Sequence, residues 1–87
     1  MRPLAQAPTF PDPLRLTQLA AGSRARLSET RLAAHERDLL TALGLSAGSC
    51  FRVCRAGDPW ILEVRATRIG LADVVAERLL VVPDGEP

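Results

Sequence analysis

The chain has 87 residues and a formal net charge of +1, with eleven basic side chains, all arginine, against ten acidic ones. One domain fits this length, and a domain so small buries only about 60% of the surface its unfolded chain exposes, which argues against a deep substrate pocket. The balanced charge gives no strong overall field for nucleic acid or an anionic membrane.

Pro3, Pro8, Pro11 and Pro13 crowd residues 1–13, where they remove backbone donors and block a helix. This arm is expected to be disordered or extended. Residues 83–87 share the character and read as a flexible tail, so the expected domain spans residues 14–82. The start of the chain has no apolar run of signal-peptide length, and no stretch approaches a bilayer span. Two cysteines make no disulfide framework, so a reducing, cytoplasmic setting is expected.

Within the domain, polar and apolar residues alternate over 23–28, as on a half-buried first strand. Ser28 or Thr30 can then cap a helix. Leu32, Leu39, Leu40 and Leu43 recur at helical spacing, and Gly44 supplies the left-handed residue that ends the helix at Leu43. A turn ending at Gly48 leads into a strand over 49–54, where Phe51 and Val53 share one face and Cys50, Arg52 and Cys54 the other. The turn Ala56-Gly57-Asp58-Pro59 returns the chain through 60–65, with Trp60, Leu62 and Val64 inward.

A short strand over 67–71 follows, then one or two helical turns over 72–78 with Asp73 in the first turn, then a last strand over 79–82. The fold class is therefore mainly β: a small barrel of about five strands, with an α-helix after the first strand and a short helical turn before the last. Curling protects the sheet edges and buries the apolar face. The inward set is Phe51, Val53, Leu62, Val64 and Ile69.

The chemistry-bearing residues are few. One His, no Tyr, and no triad, paired-carboxylate signature or phosphate-binding glycine loop point to a binding protein rather than an enzyme. Cys50 and Cys54 sit four residues apart on a strand, about 13 Å, too far to chelate one ion together. His35, Glu36 and Asp38 share the predicted helix, and His35 and Asp38 at i and i+3 can hold a divalent ion weakly, with a solvated polar face as the alternative. Ferrous iron needs more ligands than these, for instance from a second copy in a homodimer. No cofactor is required on this reading, and a divalent transition metal, iron or zinc, is the one candidate.

Trp60 lies next to the hairpin turn, where an aromatic can anchor a partner, although its alternation with Leu62 and Val64 points it toward the core. Cys54 and Ile61 face outward as a small apolar patch. With Asp58 and Pro59 of the turn, these are the candidate partner-binding residues. Arg52, Arg55, Arg65 and Arg68 can line one side of the sheet, but Glu63 and Asp58 interrupt them, and Phe10, Phe51 and Trp60 are the only aromatics. No nucleic-acid partner is expected.

The run Leu40-Thr41-Ala42-Leu43-Gly44-Leu45-Ser46-Ala47-Gly48-Ser49-Cys50-Phe51-Arg52-Val53 resembles the FeoA family, whose helix ends in Leu-Leu-x-x-Leu-Gly before a Gly turn and an alternating strand. Gly57-Asp58-Pro59, the alternation through Val64, Ile69 with Leu71, and Ala76-x-x-Leu79-x-Val81 continue in the same order. Ala47 stands where the family usually has Pro, and the hairpin before Gly57 is a few residues short. The resemblance implies an SH3-like fold and a cytoplasmic accessory protein of bacterial ferrous iron uptake. Its implied partner is the cytoplasmic GTP-binding domain of the membrane transporter, with membrane contact only through that partner. A related domain ends the iron- and manganese-dependent repressors, whose DNA-binding helices have no counterpart in this sequence.

Overall fold

A computed structural model describes residues 13–83. Six strands form one antiparallel sheet: β1 (Leu14–Arg15), β2 (Arg24–Thr30), β3 (Cys50–Arg55), β4 (Trp60–Val64), β5 (Thr67–Leu71) and β6 (Leu79–Pro83). Helix α1 (Ala34–Ala42) joins β2 to β3, and the single turn α2 (Asp73–Ala76) joins β5 to β6. The strand order is β1-β6-β2-β3-β4-β5, so the last strand inserts between the first two.

This is the mainly β, SH3-like architecture expected, with one strand more. The extra strand is β1, two residues pairing Leu14 with Val81 and Arg15 with Leu80. It is too short to show an alternation, which is why it is invisible in the sequence. A 3-10 turn, Leu16–Gln18, follows it and buries Leu16 completely.

Alternation explains the core. Phe51, Val53, Trp60, Leu62, Val64, Ile69 and Leu71 enter one cluster with Ala25, Leu27, Leu79 and Val81. Side chains two apart on a strand share a face, so five strands each send every second residue into the same interior. All five residues of the expected inward set are buried.

The region between β2 and β3 differs from expectation. β2 continues to Thr30, so neither Ser28 nor Thr30 caps the helix. Ser28 lies at the register shift between Leu27 and Glu29 in the pairing with β6, the signature of an extra bulged residue. The helix starts only at Ala34, and the Glu36 carboxylate reaches back to accept a hydrogen bond from the Ala33 N–H at 3.3 Å. Leu32 is buried but precedes the helix.

Of the leucines on α1 and its cap, only Leu40 is in the core; Leu39 and Leu43 are 63% and 51% exposed. The inward line of the helix runs through Glu36, Leu40 and Gly44. Because Leu39 and Leu40 are adjacent, the sequence offers two helical lines one residue out of phase, and only packing on the sheet chooses between them.

The helix end is as expected. Gly44 adopts φ +102°, the Leu45 N–H donates to the Leu40 carbonyl at 2.9 Å, and Leu45 is buried. Ser49 then ties the turn together, its hydroxyl donating to the Gly44 carbonyl at 3.2 Å and accepting from the Ser46 N–H at 3.0 Å. Strand β6 extends to Pro83, one residue past the expected boundary, while the expected arm and tail fall, except for Pro13 and Pro83, outside the described residues.

Candidate functional site

The candidate partner-binding residues gather around the β3–β4 hairpin. Gly57 at φ +141° and a cis bond between Asp58 and Pro59 shape the turn. A side chain at Gly57 would be strained at that φ, which explains the glycine. At the end of β3 the register shifts so that Val53 faces Leu62 and Arg55 faces Ile61, leaving Cys54 as the extra residue. A bulge bends its strand and re-aims side chains, here turning Cys54 and Arg55 outward beside Ile61.

Trp60 is not an exposed anchor. It is 4% exposed, and its indole Nε1–H donates to the Asp73 carboxylate at 2.9 Å. The Asp58 carboxylate in turn accepts the Asp73 backbone N–H at 3.1 Å. Asp73 thus clamps the hairpin to the start of α2, holding the turn from beneath. What remains accessible is Asp58 and Pro59, both exposed, and the half-buried pair Cys54 and Ile61. Ile61 lies over Gly70 of β5, where a Cβ would meet its Cδ1 at 3.7 Å.

His35, Glu36 and Asp38 all lie on α1, but Glu36 turns back to the backbone of Ala33. Among the described residues, no three His, Cys, Asp or Glu side chains converge as a metal site. The geometry leaves His35 and Asp38 as an i, i+3 pair, too few donors for the octahedral or tetrahedral shell of a divalent transition metal. Cys50 and Cys54 are both free thiols, Cys50 exposed and Cys54 half-buried.

Of the four arginines expected along one side of the sheet, Arg52 and Arg68 fall in one cross-strand row through Glu63, whereas Arg55 pairs with Ile61 at the bulge and Arg65 lies in the β4–β5 turn. Register places Arg24, Arg52, Glu63 and Arg68 directly opposite one another across β2, β3, β4 and β5. Arg52 pairs with Glu63 at 2.7 Å. The hydrogen bond from Arg52, reinforced by its charge, holds the Glu63 carboxyl below the usual carboxylate range, and the same hydrogen bond raises the Arg52 guanidinium.

Sequence reasoning missed one exposed feature. Leu39 and Leu43, four residues apart, project from α1 into solvent, and Val74 on α2 is 68% exposed. Leu39 and Leu43 were legible as apolar, but at helical spacing with Leu40 they read as one stripe with it.

A protein-family model described as the FeoA domain matches residues 14–83. The solution structure of the FeoA protein from Chlorobium tepidum is 26% identical, with a TM-score of 0.80, over 85% of this chain and 73% of that one. The crystal structure of an iron uptake regulatory protein (FeoA) is 20% identical, with a TM-score of 0.75, over 82% of this chain and 97% of that one. The T. acidophilum IdeR structure shares the fold at 23% identity and a TM-score of 0.76, with 94% of this chain lying over 39% of that one. None of the curated proteins matches the chain.

Proposed function

From the premise that the chain belongs to the FeoA domain family, we propose that it is an accessory protein of ferrous iron uptake that docks on the cytoplasmic GTP-binding domain of the membrane transporter. Family membership supports the role in ferrous iron transport, and the match over residues 14–83 is the observation that carries it. The protein acts by binding in this reading: among the described residues, the Trp60, Asp58, Asp73, Arg52 and Glu63 side chains hold the hairpin and the sheet together, and the hydrogen bonds join no nucleophile to a base.

The outward side of the β3–β4 hairpin is the contact surface in this reading. Cys54 and Ile61 supply a small apolar centre, and Asp58 and Pro59 its polar edge, a division usual for protein interfaces. The Asp73 clamp fixes the hairpin before binding, which lowers the ordering cost of association.

The test is a pull-down of the transporter's GTP-binding domain by the full chain, alongside ferrous iron uptake in a deletion strain. Association, its loss on Ile61→Asp, and impaired uptake are expected. No association with normal uptake would end the proposal.

A further inference from the structure

Net charge hides how the charges are placed. On the outer face of the sheet, β2 contributes Arg24 and Arg26, and Arg24 lies directly opposite Arg52 of β3, which is opposite Glu63 of β4, which is opposite Arg68 of β5. Arg65, at φ +52° in the β4–β5 turn, lines a shallow depression of about 270 Å³ together with Arg24 and Arg52. Arg24, Arg26, Arg65 and Arg68 are exposed. Glu63 is the one carboxylate in these rows and is taken by Arg52, the only ion pair among the described residues.

Among the described residues the other acids lie off these cross-strand rows, Glu29 being the nearest, beyond the bulge on β2. Glu29 and Glu77 line a groove with Arg15, Arg31 and Arg78 at the β1–β6 side. Glu36 and Asp38 are on α1, and Asp58 and Asp73 are at the hairpin clamp. A chain of net charge +1 therefore presents one strongly basic face. Like charges directly opposite each other on a sheet, as at Arg24 and Arg52, destabilise the pair. The fold tolerates that cost on this face.

We infer that the face carrying Arg24, Arg26, Arg52, Arg65 and Arg68 adsorbs to an anionic lipid surface. Four neighbouring strands span about 14 Å, and the row from Arg24 through Arg52 to Arg68 crosses all four, a width that takes in several headgroup phosphates. The face offers no exposed aromatic. Phe51 and Trp60, on the strands that build it, are both buried. Without them it lacks the stacking platform of a single-stranded nucleic-acid site and the aromatic anchor of a protein interface. The inference rests on charge placement alone and is independent of the transporter reading.

Full-length protein is sedimented with phosphatidylcholine vesicles with and without phosphatidylglycerol, at low salt and at about 1 M salt, where the Debye length falls to about 3 Å. Binding is expected only with phosphatidylglycerol and only at low salt. Each basic residue near an anionic surface contributes about fivefold in partitioning, so the variant R24Q/R26Q/R68Q, which spares the Arg52–Glu63 pair, should bind about a hundredfold more weakly. R15Q/R31Q/R78Q, with the same net charge, should retain most of the binding. Circular dichroism melting of both variants establishes that they are folded at the assay temperature. Three results overturn the inference: no binding of wild type to phosphatidylglycerol vesicles, equal loss in the two folded variants, or tighter binding to a DNA or RNA oligonucleotide than to vesicles at equal phosphate.

Discussion

Removing the Asp73 side chain tests whether the clamp beneath the β3–β4 hairpin is what holds Trp60. In Asp73→Ala the indole N–H, whose ring is 4% exposed, loses the acceptor now at 2.9 Å. Leaving a buried donor unpaired costs about 1–3 kcal/mol, and the loss of an acid from the first turn of α2 adds a few tenths more. A total near 2 kcal/mol lowers Tm by roughly 8–16 °C in a domain of this size. Asp73→Asn keeps an acceptor and should cost about half as much. Because Trp60 is the only tryptophan, its emission during thermal or urea unfolding reports directly on the clamp. The decisive step is a double-mutant cycle with Trp60→Phe, followed by circular dichroism in all four proteins because that background has no tryptophan, in which Asp73→Ala should be cheaper by about 1–2 kcal/mol. A stability of Asp73→Ala within about 0.5 kcal/mol of wild type, or an equal cost in both backgrounds, would refute the reasoning.

The phase of α1 predicts a sharp contrast between neighbouring leucines. Leu40→Ala, at a position 6% exposed, should cost about 2–5 kcal/mol, whereas Leu39→Ala, at 63% exposure, should stay within about 0.5 kcal/mol of wild type by urea unfolding. Equal costs would mean that the helix is rotated from the line described. The Arg52–Glu63 pair predicts an acid-side effect: the folded-state pKa of Glu63 is lowered, so the pair's stabilisation is complete above the unfolded value near about 4.3 and disappears as pH falls through the lower folded value. Carboxyl-carbon NMR titration should place Glu63 below that reference and return it toward the reference in Arg52→Gln; an unchanged titration would dismiss the pair as the cause.

Arg24, Arg52, Glu63 and Arg68 illustrate how a total conceals an arrangement. Summed along the sequence they nearly disappear into a net +1. The register across β2, β3, β4 and β5 brings them into one row on one face. Trp60 gives the opposite lesson: its neighbourhood made it a candidate anchor, and its alternation with Leu62 and Val64 already pointed to the core, where its partner is Asp73, thirteen residues away.

Strand identity, the inward set from Phe51 to Ile69 and the helix end at Gly44 were legible in the sequence, because alternation with period two and a left-handed glycine are local consequences of backbone geometry. The family resemblance was legible for the same reason, being an ordered series of such local signals. The phase of α1, the start of the helix after an extended β2, the two-residue β1 beside β6, the clamp at Asp73 and the placing of Arg24 opposite Arg52 were decided only by tertiary structure. Each depends on which surfaces meet across the sheet, and adjacent leucines, a bulge or a cross-strand pair have no signature within a few residues of themselves.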